Sequence, residues 1–179
     1  SIIMTYDFHG GWENQTGHNS PFLGRDATDA LNMVTAMQAY RDAGVPGEKL
    51  VVGLAFYGRG WGGVGYTNNG LYQPSGGEAQ GPYEPGLFEY EYILQQLTSQ
   101  PAVWQNYWDD VSKVPYVYAP NLNGGTWIGY DNPESIRNKV EWAKEQGLGG
   151  VMFWELSGDT PSGSGNSLLD TIYDELIEP

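Results

Sequence analysis

The chain has 179 residues, 40% of them apolar, enough for one domain with a hydrophobic core and too many for a disordered segment. Its 22 acidic and 8 basic residues leave a net charge of −14, which repels phosphate backbones and anionic membrane surfaces, so neither nucleic acid nor membrane is an expected partner. Cysteine is absent, which excludes disulfides and thiolate metal sites, and no apolar run reaches the eighteen residues a membrane span needs.

Ile2-Ile3-Met4-Thr5-Tyr6 is a short apolar, β-branched run and reads as a buried strand. It starts directly after Ser1, with no basic n-region or cleavable signal, from which an upstream segment is expected. A loop rich in Gly, Asn and His follows to about Arg25. Asp26 to Ala43 reads as a helix, with Leu31, Val34, Met37 and Tyr40 near helical spacing and Gly44 and Pro46-Gly47 ending it. Leu50 to Phe56 is a second apolar strand.

From Gly60 to about Tyr130 glycine and asparagine turns separate short pieces: a helix over Leu87–Gln96 and strands at Tyr116–Tyr118 and Thr126–Ile128. Asn132-Pro133-Glu134 starts a helix with an N-cap, a proline at N1 and an acidic first turn. Gly149 to Trp154 is a third buried strand, and Asn166 is placed as the cap of a last helix carrying Leu168, Leu169, Ile172, Tyr173 and Leu176. Apolar strands alternating with amphipathic helices predict an α/β fold with a parallel sheet. Three βα units cannot close an eight-stranded barrel, which takes about 250 residues.

Functional side chains in parallel α/β folds gather at the C-terminal ends of strands. Those ends carry Met4, Tyr6 and Asp7; then Tyr57 and Arg59; then Trp154 and Glu155. Each pairs an aromatic with a charge, which favours a ligand site over ordinary interface aromatics beside surface charge. Aromatic residues make up 14% of the chain, with seven Trp and thirteen Tyr. Their flat apolar faces and polar handles suit sugar rings, although a tyrosine-rich core gives the same composition.

Other chemistries fail on context. Gly58-Arg59-Gly60-Trp61-Gly62-Gly63 matches G-x-G-x-x-G, but Val64 to Gly70 cannot be the helix that a dinucleotide site requires. His9 and His18 are the only histidines, and there is no H-E-x-x-H, P-loop or calcium loop, so no metal and no cofactor is expected. Asn14-Gln15-Thr16 matches a glycosylation sequon, a pattern common by chance.

At these strand ends the sequence resembles glycoside hydrolase family 18, the chitinases. Met4-Thr5-Tyr6-Asp7-Phe8-His9-Gly10 is similar to that family's sixth barrel strand, and Val51 to Trp61 to its seventh. Tyr130 to Ser135 and Leu148 to Glu155 are similar to the seventh helix and eighth strand. The resemblance implies a partial TIM (β/α)8 barrel, its last three βα units formed by residues 1–60 and 130–179, with an α+β insertion at 61–129. It implies retaining hydrolysis of β-1,4-linked N-acetylglucosamine polymers, in which a glutamic acid protonates the glycosidic oxygen and the substrate's own acetamide oxygen attacks the anomeric carbon.

By the same resemblance Tyr6 stabilises the intermediate and Asp7 and Arg59 hold hydroxyls or acetamides. Met4 lies under the cleavage site, Tyr57 contacts the sugar chain, Trp154 floors the site and Glu155 stands beside it. Trp12 and Trp61 are further stacking candidates. The family's acid sits in D-x-x-D-x-D-x-E, and nothing here matches: Asp26 and Asp29 have the first spacing, but Leu31 and Met33 follow. The chain alone is therefore expected to bind chitin or chito-oligosaccharides without cleaving them. Its expected partners are the N-terminal half of the barrel or a second copy, since Ile2–Tyr6 would be an open sheet edge. Three readings stay open: part of a chitinase, a non-catalytic sugar-binding module, and a structural half-barrel. Extracellular location follows only from chitin lying outside the cell.

Overall fold

The computed structural model describes residues 1–177. Strand β1 (Ile2–Ile3), helix α1 (Met33–Asp42) and strand β2 (Val51–Ala55) come first. Strands β3 (Tyr57–Gly62), β4 (Gly77–Glu78) and β5 (Leu87–Glu89) follow, then helix α2 (Tyr90–Ser99) and strands β6 (Gln105–Asp109), β7 (Val114–Ala119) and β8 (Thr126–Gly129). Helix α3 (Pro133–Glu145), strand β9 (Gly150–Trp154) and helix α4 (Leu168–Ile177) close the described chain.

Two sheets divide these strands. The first is parallel, in the order β1-β2-β9, with Ile3 opposite Val52 and Val52 opposite Val151. Its centre is β2, where Val52, Leu54 and Ala55 are buried, as a strand covered on both faces requires. Met33 and Met37 of α1, Ile136, Val140 and Ala143 of α3, and Leu168 and Ile172 of α4 complete this core. The second sheet is antiparallel, in the order β4-β3-β8-β7-β6, with β5 also paired to β3. Trp61, Tyr116, Tyr118 and Trp127 form a separate aromatic cluster there.

The chain passes between sheets at Phe56, whose N–H donates to the Trp154 carbonyl (2.8 Å) while its own carbonyl accepts from Tyr90 (3.0 Å). A division at residues 60/61 thus falls inside β3, which already pairs with β5 and β8 from Tyr57 to Trp61. Gly58-Arg59-Gly60 lies within this strand. A Cβ on Gly60 would stand 2.6 Å from the Phe88 ring, so close packing accounts for the glycine.

Several boundaries differ from the sequence expectation, each for a local reason. The first strand stops at Ile3 because Thr5 leaves the ladder, its hydroxyl donating to the Gly53 carbonyl (2.6 Å). Helix α1 begins at Met33, not Asp26. Asp26 accepts from Thr28 (2.8 Å) and Asp29 from Leu31 (3.1 Å), local bonds that compete with helix, and Asn32 is the cap, accepting from Thr35 (2.9 Å). Leu87–Glu89 is a strand preceding α2, and β6 has no apolar alternation to announce it, reading Gln-Asn-Tyr-Trp-Asp.

Helix α3 starts as its sequence predicts, with a capping box between Asn132 and Ser135 and Pro133 at N1. The cap of α4 is Ser167 rather than Asn166. Its hydroxyl oxygen accepts from the Asp170 N–H (3.1 Å), and Asp159 accepts from the N–H groups of Leu168 (2.9 Å) and Leu169 (2.8 Å).

The loop between β1 and α1 is pinned to the second sheet by His18, whose Nε2 meets Asp109 Oδ2 at 2.8 Å in a nearly enclosed site. Burial raises the Asp109 carboxyl, but the His18 hydrogen bond and charge, with the N–H groups of Val111 and Ser112, bring it below the ordinary carboxylate value. A carboxyl depressed in the folded state stabilises above its unfolded value, near 3.9, and loses that contribution as pH falls through the folded one. Asp109→Asn is expected to cost about 1.5–3 kcal/mol at neutral pH. Thermal melts should then show a smaller drop between pH 5 and pH 2 in the variant than in the parent; equal drops would refute the assignment.

Candidate functional site

The C-terminal ends of β1, β2 and β9 open on one side of the parallel sheet, and the chain turns sharply there after Tyr6. Asp7 sits in the left-handed region at φ 58°, a conformation costing a non-glycine residue about 1–2 kcal/mol. Two hydrogen bonds to Asn19 hold it. The Asp7 N–H donates to Asn19 Oδ1 (2.9 Å), and the Phe8 N–H donates to the Asn19 carbonyl (3.0 Å). Asn19 Nδ2 then donates to the Tyr57 carbonyl (3.1 Å), joining the corner to β3. Gly53 leaves room for the turn, since a Cβ there would stand 2.8 Å from the Ile3 carbonyl oxygen and 3.0 Å from the Tyr6 ring.

The Asp7 carboxylate is the hub of this corner. Its Oδ1 accepts from the Tyr57 hydroxyl (2.6 Å) and from Arg59 Nε (2.9 Å). The Arg59 guanidinium lies 5.6 Å from the Tyr57 ring centre and 5.4 Å from that of Trp12, in cation–π geometry with both. The Tyr6 ring meets Tyr57 edge-on at 5.9 Å.

Burial, then the hydrogen bond and charge of Asp7, push the Tyr57 hydroxyl far above its ordinary value. Tyr6 is raised too, first by burial and then by the Asp7 charge. Both phenols therefore stay protonated at neutral pH and can donate hydrogen bonds. Burial alone would weaken the Arg59 cation; the hydrogen bond and charge of Asp7 more than offset it.

Beside this corner is a cleft of about 480 Å³, lined by Tyr57, Tyr83, Glu84, Trp154 and Glu155 among others. Trp154 is 57% exposed at the end of β9. Glu155 follows it, accepting from the Ser157 hydroxyl (2.9 Å). Met4 and Trp12 also present large apolar surfaces to solvent, at 67% and 61% exposure.

Of the residues picked from the strand ends, Tyr6, Asp7, Tyr57 and Arg59 come into direct contact, joined by Trp12, while Tyr57, Trp154 and Glu155 share the cleft. Trp61 does not belong with them. It is fully enclosed, packed 5.7 Å from Trp127 with its indole N–H donating to the Glu13 carbonyl (3.1 Å), so it offers no face to a ligand. Sequence reasoning missed Asn19, a buried polar residue in a loop, which no periodicity marks. It also missed Tyr83 and Glu84, whose only signal is the turn-rich setting Gly81-Pro82-Tyr83-Glu84-Pro85-Gly86. Among the described residues no three His, Asp or Glu side chains converge as a metal site would need.

The arrangement offers flat aromatic surfaces, phenol donors, and a carboxylate and guanidinium fixed to each other, groups able to stack on a flat ring and hydrogen-bond to its rim. The family model for glycosyl hydrolases family 18 matches residues 2–159. Chitinase A1 of Niallia circulans is 42% identical over 166 residues, 88% of this chain and 23% of that protein. Chitinase ChiW of Paenibacillus sp. superposes with a TM-score of 0.85 at 42% identity, over 97% of this chain and 15% of that one. The Ostrinia furnacalis group IV chitinase, solved in complex with allosamidin, superposes with a TM-score of 0.88 at 35% identity, over 99% of this chain and 50% of that one. The chain thus spans about a quarter of Chitinase A1 and half of the Ostrinia structure. From the breadth of these matches, the chain belongs to glycosyl hydrolases family 18.

Proposed function

We propose that this chain is the C-terminal half of a family 18 catalytic domain and supplies the sugar-binding side of a chitinase. In this reading β1, β2 and β9 with α1, α3 and α4 are the last three βα units of a (β/α)8 barrel. The antiparallel sheet with α2 is the α+β insertion, a wall on one side of the cleft. The substrate is a β-1,4-linked N-acetylglucosamine polymer, and the location extracellular, where chitin lies. The allosamidin complex of the Ostrinia relative supports the ligand class.

One observation carries the reading: Asp7 Oδ1 accepts from both Tyr57 and Arg59 beside the exposed Trp154. The Tyr6 hydroxyl donates to the acetamide carbonyl as it attacks the anomeric carbon and stabilises the cyclic oxazolinium-like intermediate. Asp7 and Arg59 hold sugar hydroxyls and acetamides, and Trp154 stacks beneath the reacting ring with Met4 below the cleaved bond. Tyr57 and Glu155 contact the sugar chain, and Trp12 serves as a further platform.

No D-x-x-D-x-D-x-E stands in these 179 residues. The proton donor, whose contribution to such reactions is about 10²–10⁴-fold, comes from outside the chain, and the chain alone is inactive. The outer edges of β1 and β9 have no strand neighbour among the described residues, which fits pairing with the N-terminal half of the barrel or with a second copy.

Titration of the purified chain with chitotetraose by calorimetry tests the binding. Trp154→Ala should weaken it about tenfold, equal to about 1.4 kcal/mol. Trp61→Phe should lower the melting temperature and leave the affinity unchanged. Affinity that is absent in the parent, or indifferent to Trp154, would refute the reading.

A further inference from the structure

Behind the Tyr6–Asp7 corner lies a buried charge that the proposed chemistry does not use. Lys139 on α3 is fully buried, and Asp131, just before that helix, is 1% exposed. The Lys139 ammonium donates to Asp131 Oδ1 (2.7 Å), Ser20 Oγ (2.7 Å) and the Ser20 carbonyl (2.5 Å). Asp131 Oδ1 also accepts from the Ser135 hydroxyl (2.7 Å), which belongs to the capping box. Three acceptors thus meet the three protons of an ammonium.

That stoichiometry sets the direction of the next bond. An ammonium accepts nothing, so the Ser20 hydroxyl proton must go elsewhere, and it donates to the Thr5 carbonyl (3.0 Å). Thr5 in turn donates to the Gly53 carbonyl on β2 (2.6 Å). One residue back, Asn19 accepts from the N–H groups of Asp7 and Phe8 and donates to Tyr57. The cation therefore grips Ser20, and residues 19 and 20 grip the main chain of Thr5, Asp7 and Phe8.

Stability is a poor reason for this arrangement. Burial lowers the Lys139 pKa against the opposing pull of Asp131, the mark of a costly charge, and buried ion pairs exchange for apolar groups with little loss. Its geometric effect is specific: it fixes the one loop segment that holds Asp7 in its left-handed conformation.

We propose that Lys139 is a positioning residue for the sugar-facing corner, acting through Ser20 and Asn19 to hold the Tyr6–Asp7 turn, and with it the Asp7 contacts to Tyr57 and Arg59, in place beside the cleft. The word sugar-facing rests on the function proposed above; the mechanical role does not.

The test removes both charges together, Lys139→Met with Asp131→Asn, so that no unpaired buried ion remains. Amide hydrogen exchange is read by NMR at Asp7 and Phe8, with Val52 and Leu54 of β2 as internal reference. Exchange at Asp7 and Phe8 should rise at least about tenfold more than at Val52 and Leu54, and chitotetraose affinity should fall by a similar factor. Ser20→Ala, which cuts only the hydroxyl link, should accelerate Asp7 and Phe8 in the same selective way and decides the matter if the double variant does not fold. Uniform acceleration at all four amides, or none, would overturn the proposal. Selective acceleration with no sugar binding even by the parent would refute the function proposed above while upholding the positioning role.

Discussion

The site depends on one carboxylate oxygen. Asp7 Oδ1 is where the turn after β1 meets the start of β3, accepting at once from a phenol and a guanidinium that both come from β3. Without it Arg59 would lose the anion that sustains its charge against burial, and Tyr57 would keep a buried hydroxyl with no acceptor. The left-handed backbone at residue 7 is the cost of bringing that oxygen there, and Asn19 bears it by satisfying two successive N–H groups. The strain at this corner is supported by a neutral amide farther along the same loop, so the donors and acceptors around Asp7 are preorganised.

The aromatic residues divide by exposure. Trp61, Trp127, Tyr116 and Tyr118 build the separate core of the antiparallel sheet, where their bulk fills space that short strands cannot. Trp12, Trp154, Tyr66 and Tyr83 instead stay on the surface. The tyrosine-rich core is therefore present, and other aromatic residues stand exposed to solvent.

Much of the parallel layer was legible because its signals are local and strong. The apolar run of β2, the glycine-flanked β9 and the Asn132-Pro133 start of α3 each follow from residues within one turn or strand. Tyr6, Asp7 and Trp154 could be placed from the strands they follow or end, whereas Tyr57 and Arg59 lie within β3, the start of the antiparallel sheet. What escaped depends on partners far along the chain. Trp61 looks like a surface platform until β8 brings Trp127 against it, and β6 becomes a strand only because β7 lies beside it. The start of α1 was misplaced because Asp26 and Asp29 turn their carboxylates onto their own backbone, a choice that apolar spacing does not register. Asn19 and the Lys139 cluster join positions 12 and 119 residues apart, which no window along the sequence can reveal.

In the function proposed for it, this chain binds the substrate and the proton donor lies outside it. Turnover of a fluorogenic chitobioside by the purified chain, its intact mass confirmed at 179 residues, tests that claim most directly. No release above the buffer rate is expected. Clear release would contradict it, because a carboxyl within this chain, Glu155 or Asp7 first, would then have to be the acid.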